Sequence, residues 1–144
     1  MKFRFVDRIF AGGADAIQTE KAISFEEFSL LKPWGRKGAF PESLLLQVAV
    51  ESAAHLVTRR SGGARTAVLE EAEGVRFEWE TKPGEVLRCR VEALVSSRYA
   101  FEISTEQGRL ASGTLFLREL PLEACFDPEA HHLLQEALHV AARS

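Results

Sequence analysis

Apolar and polar positions alternate with a period of two over much of the chain, and a single long stretch breaks that rhythm. Phe3 to Arg8 alternates over a short run. Ala11-Gly12-Gly13-Ala14 then reads as a turn. Ala16 to Phe25 alternates again, which predicts a second strand. Ser29 to Gly38 holds Lys32-Pro33-Trp34-Gly35, a loop by its proline and glycine.

The break in the rhythm predicts a helix from about Pro41 to Arg60. Pro41 suits the first helical position, where its missing N–H costs nothing. Glu42 near the start and Arg59 with Arg60 at the end match the helix dipole, and Ser61-Gly62-Gly63 stops the helix. Between these ends Leu44, Leu45, Leu46, Val48, Ala49, Val50, Ala53, Ala54, Leu56 and Val57 cover most of the surface. A helix apolar nearly all round is a buried one.

Strands follow. Thr66 to Leu69 is a short apolar run. Val75, Phe77 and Trp79 alternate with Arg76, Glu78 and Glu80 up to a turn at Lys82-Pro83-Gly84-Glu85. Leu87, Cys89, Val91, Ala93 and Val95 alternate with Arg88, Arg90, Glu92 and Leu94, so the first set is expected to face inward. Tyr99, Phe101 and Ile103 repeat the pattern, Glu106-Gln107-Gly108 turns, and Leu110 to Arg118 forms the last strand. Such runs, separated by turns, predict an antiparallel meander with one wet face.

The predicted order is therefore strand, strand, buried helix, then four strands. A curved antiparallel sheet wrapped around one central helix buries that helix and leaves the outer face polar. This is an α+β hotdog fold, expected over residues 1–120. Residues 121–144 are expected to add an amphipathic helical extension. There Asp127 can cap, Pro128 takes the first helical position, and Leu133, Leu134, Ala137, Leu138 and Ala141 share a face.

Composition narrows the class. The chain has 144 residues, 46% of them hydrophobic and 27% charged, the balance of one globular domain. Net charge is -3, and the pI is about 5.8. That lacks the basic footprint of a nucleic-acid binder. Cys89 and Cys125, with no histidine at ligand spacing, predict neither a disulfide framework nor a metal site. His131, His132 and His139 in the tail are not one helical turn apart, as a helical metal pair requires. No signal core and no run of membrane-spanning length is present, so a cytoplasmic protein without membrane insertion is expected.

Several segments, in order, resemble the 3-hydroxyacyl-[acyl-carrier-protein] dehydratases. Phe5-Val6-Asp7-Arg8 is similar to that family's opening. Gly38-Ala39-Phe40-Pro41 resembles its Gly-His-Phe-Pro. Leu44 to Ala54 is similar to its central helix, and Val75-Arg76-Phe77 with Lys82-Pro83-Gly84-Glu85 to a later strand and turn. The likeness covers about residues 3–118. It implies an acyl thioester carried on phosphopantetheine or CoA, with no other cofactor. The implied partner is acyl carrier protein or acyl-CoA. A homodimer or a hotdog heterodimer is implied too, because the family's active sites lie between subunits. Phe40, Leu44 and Val48 are the expected substrate contacts, and a tunnel lined by Leu44, Val48 and Phe101 would favour acyl binding.

The family's chemistry needs a histidine and a helix carboxylic acid. Here Ala39 stands at the histidine position and Gln47 at the glutamate position. Neither can move a proton, and losing one positioned acid–base group costs roughly 10²–10⁴-fold in rate. Standard dehydratase activity is therefore not expected. Glu51, one turn after Gln47 and about 6 Å along the axis, is the remaining carboxylate. It is either a base for thioester hydrolysis or a hydrogen-bonded residue at a dimer seam. A third possibility makes the chain a non-catalytic partner of a competent hotdog dehydratase. His55 is expected to be structural. Arg36, Lys37, Arg59, Arg60 and Arg65 are candidate contacts for a phosphate or an acidic carrier.

Overall fold

A computed structural model describes residues 5–11, 13–23, 42–78, 84–124 and 136–138. Strands β1 (Arg8–Ala11) and β2 (Ala16–Ala22) precede helix α1 (Glu42–Arg60). Four strands follow: β3 (Arg65–Phe77), β4 (Val86–Ala93), β5 (Arg98–Thr105) and β6 (Gly108–Pro121). They form one six-stranded sheet in the order β1-β2-β4-β5-β6-β3, with every paired neighbour antiparallel. The helix packs against β2, β3, β4, β5 and β6. This is the expected hotdog plan.

The alternation fixes which face meets the helix. Leu87, Cys89 and Val91 of β4 are buried, while Arg88, Arg90 and Glu92 between them are exposed. Tyr99, Phe101 and Ile103 of β5 join the same core. Leu45, Val48, Ala49, Ala53, Leu56 and Val57 close it from the helix side, each at most 2% exposed. On the outer face, charges of opposite sign meet across strands. Arg8 opposes Glu20 and Glu20 opposes Arg88, whose guanidinium lies 3.6 Å from the Glu20 carboxylate. Arg90 likewise opposes Glu102. Such pairs each contribute a few tenths of a kcal/mol, up to about 1.

Three strand boundaries differ from expectation. Of the expected first run, Phe3 and Arg4 lie outside the described residues, Phe5 to Asp7 are not in a strand, and β1 begins at Arg8 and runs through Ala11, a position expected in a turn. Asp7 accounts for the start: its N–H donates to the Glu20 carbonyl and its carboxylate accepts from the Ala22 N–H, so it clamps the chain to β2 just before pairing begins. The runs at Thr66–Leu69 and Val75–Phe77 are one strand. Register shifts between Leu69 and Glu71 and between Glu73 and Arg76 each leave one extra residue on β3. Gly74, at φ +61°, supplies the left-handed step that one of these bulges needs. Opposite that bulge lies Gly113, where a side chain would meet the Val75 backbone and the Phe101 ring at 3.0 Å. Val95 does not face inward: β4 ends at Ala93, and Val95 is 78% exposed at the hairpin tip.

Trp34, Pro41, Trp79, Cys125 and the tail histidines lie outside the described residues. Of the expected tail helix, residues 136–138 are described as helical, and Leu138 is 4% exposed within the core cluster. Among the described residues no helix is long and apolar enough to cross a membrane.

Candidate functional site

Helix α1 is buried on most of its surface, as its composition requires. Among its described side chains before the terminal Arg59 and Arg60, the less buried positions are Ser43, Leu44, Leu46, Gln47, Glu51 and Ala54. Apart from Leu46, these fall at i, i+1, i+4, i+8 and i+11, one stripe along the helix. The stripe therefore opens the helix along the line that holds Gln47 and Glu51. The Gln47 amide Nε2 donates to Glu51 Oε1 at 3.0 Å, in a partly buried setting. Among the described residues Glu51 accepts from Gln47 alone. Leu44 flanks this pair, partly buried against the core. Val48 and Phe101 are core residues, 1% and 3% exposed. Ala39, Phe40, Arg36 and Lys37 lie outside the described residues, so the helix supplies the part of the expected site that is described.

Beneath the helix is a polar cluster that the sequence reading missed. The Thr19 and Ser52 hydroxyls are 2.7 Å apart, and Ser52 also donates to the Val48 carbonyl at 2.7 Å. Cys89 pairs with Thr19 across β2 and β4, and its thiol is hydrogen-bonded to both hydroxyls. Burial pushes that thiol from the ordinary 9.0 up to about 12, against the smaller opposing effect of the two hydrogen bonds. A thiol held neutral is neither a nucleophile nor a metal ligand at physiological pH. Lys21 is 1% exposed on the same inner face. Its place was readable: counting by twos from Ile17 through Thr19 reaches Lys21 and then Ile23, all buried.

The far end of the helix is committed to structure. Arg59 donates to the Gly13 and Ala16 carbonyls and ties the helix to the β1–β2 turn. Arg60 lies 3.4 Å from Asp15, and Arg65 3.6 Å from Glu119. A cavity of about 240 Å³ is lined by Val57, Arg60, Ser61, Tyr99 and Glu119. Burial first, and then the Glu119 charge, raises the Tyr99 phenol above its usual range, while Arg60 pulls it back. This cavity is roughly 20 Å along the axis from Gln47. The three arginines expected as phosphate contacts thus already have carbonyl or carboxylate partners. His55 is buried at 8% exposure, in keeping with a structural role.

No protein-family model matches the chain, and no curated protein matches it. Solved structures do. A protein of Streptococcus mutans bound to acetyl-CoA superposes with a TM-score of 0.62 at 9% identity, over 79% of this chain and 88% of that one. The dehydratase heterocomplex ApeI:P of Xenorhabdus doucetiae gives 0.59 at 14% identity, over 76% and 93%. A thioesterase of Haemophilus influenzae gives 0.60 at 15% identity, over 79% and 78%. At these identities the likeness is one of fold: the chain has the hotdog fold, shared with thioesterases and dehydratases.

Proposed function

We propose that this hotdog protein binds acyl thioesters of CoA or acyl carrier protein, and that Glu51 is the group that acts on them. The observation that carries the reading is the Gln47–Glu51 pair: a hydrogen-bonded carboxylate on the open stripe of a helix buried elsewhere. Dehydration is disfavoured by the residues themselves. Ala39 and Gln47 offer no group that can take or give a proton where the dehydratases use histidine and glutamate, and no histidine occurs before His55.

The chemistry open to one carboxylate is hydrolysis. Glu51 takes a proton from water as the water oxygen attacks the thioester carbonyl carbon. The tetrahedral intermediate collapses with cleavage of the C–S bond, and the proton returns to the departing thiolate. The products are a carboxylic acid and a free thiol. The acetyl-CoA bound to the Streptococcus mutans neighbour and the thioesterase of Haemophilus influenzae support the substrate class. A second reading, a non-catalytic partner of a competent hotdog subunit, draws support from the edge position of β3 among the described strands and from the heterocomplex among the neighbours.

Calorimetric titration with a non-hydrolysable acyl-CoA thioether tests the binding claim. Saturable binding is expected, together with no hydration of a 2-enoyl thioester by the native chain. Absence of binding, or hydration well above background, would overturn the reading.

A further inference from the structure

We infer that Gln47 is a positioning residue for Glu51, fixing one carboxylate oxygen so that the other is presented to water and substrate. The inference rests on the reading of Glu51 as the acting group. An ionised carboxylate only accepts hydrogen bonds, so the amide must turn its NH₂ toward it. The 3.0 Å contact from Nε2 to Oε1 has that arrangement. The spacing i, i+4 lets the contact form within one helix, with no help from a loop.

The surroundings favour a fixed geometry. Val48 and Ser52, the neighbours on the sheet side of the pair, are 1% and 0% exposed and anchor that face of the helix to the core. The Ser52 hydroxyl, bonded to Thr19 and to the Val48 carbonyl, holds the same helical turn against β2. Gln47 and Glu51 therefore stand on a helical turn anchored by buried neighbours, and the amide's part is to choose the carboxylate's rotamer. An amide does this without competing for the proton, because it does not titrate.

The test uses the full chain and two readouts. Gln47→Met keeps the length of the side chain and removes the donor. It is expected to lower kcat for acyl-CoA hydrolysis about tenfold with KM unchanged, the rate equivalent of one lost hydrogen bond to a charged group. Gln47→Glu, which replaces the donor by a like charge, is expected to lose at least as much. Undiminished kcat in Gln47→Met, or a loss confined to KM, overturns the inference. The second readout needs no activity. The Gln47 side-chain NH₂ resonances in a ¹H–¹⁵N spectrum are expected to move and sharpen toward free-glutamine positions in Glu51→Ala. Resonances that stay in place overturn the inference. A native chain that does not hydrolyse acyl-CoA removes the hydrolysis reading alone, and the amide resonances then decide the role of Gln47.

Discussion

At the residue scale the inner face of the sheet is not wholly apolar. Thr19, Ser52 and Cys89 satisfy one another where β2, β4 and the helix meet, so both hydroxyls of that buried cluster have partners. The Cys89 thiol, raised to about 12 in the fold, ionises near 9.0 once unfolded. Its contribution to stability is full below pH 9 and is lost as pH rises from there toward 12. Urea unfolding across pH 8–11 is expected to show falling stability, with a shallower fall in Cys89→Ala, whatever that variant's stability at neutral pH. Parallel slopes in the two proteins would contradict the assignment. The inward phase of Cys89 was legible because charged residues flank it on both sides in the sequence. Lys21 was less legible, because charge is a stronger surface signal than the weak alternation of Gln18, Glu20 and Ala22 around it. Of the candidate site, Gln47 and Glu51 were legible from helical spacing, but their contact was not. Spacing brings two side chains to one face and leaves their rotamers open.

At the element scale, the phase of each strand could be read, and the ends could not. β3 was split in two by a polar stretch, Glu70 to Gly74. The chain crosses that stretch on two bulges, which let an edge strand continue while its side-chain alternation slips. The β4–β5 hairpin misled for the opposite reason. Val95 continues the apolar alternation, yet the chain turns there, with Ser96 and Ser97 at φ 58° and 62° and the Leu94 N–H bonded to the Arg98 carbonyl at 2.8 Å. Serine carries no glycine or asparagine signal for such a turn, and each left-handed non-glycine residue costs on the order of 1 kcal/mol. Replacing Ser96-Ser97 with Asn-Gly is expected to raise the melting temperature by a few degrees, equivalent to about 0.5–1 kcal/mol. A lower melting temperature would mean that the serines are held there by contacts that the turn geometry does not reveal.

At the scale of the whole molecule, β1 and β3 are the two edges of the sheet. β1 is short, at four residues, whereas β3 offers thirteen. Leu69 on that strand is 37% exposed, an apolar side chain on an edge strand of the described sheet. Pairing of β3 with a second hotdog chain would cover both the edge and Leu69. Light scattering is expected to give twice the chain mass of 16.0 kDa, and Leu69→Lys is expected to shift the equilibrium toward the monomer. A native chain that stays monomeric at high concentration would rule out that use of the edge. The alternation of apolar and polar positions led to the hotdog fold before the dehydratase resemblance was drawn, and since that resemblance sets Ala39 and Gln47 at the family's histidine and glutamate positions, it carries architecture across but not chemistry.

The central claim is that Glu51 acts on an acyl thioester. Steady-state release of free thiol from acyl-CoA, compared between the native chain and Glu51→Ala, tests it most directly. Release by the native chain is expected, with a loss of at least about 10²-fold in the variant while its fold stays intact by circular dichroism. Equal rates in the two proteins would contradict it and would place the chemistry elsewhere in the chain.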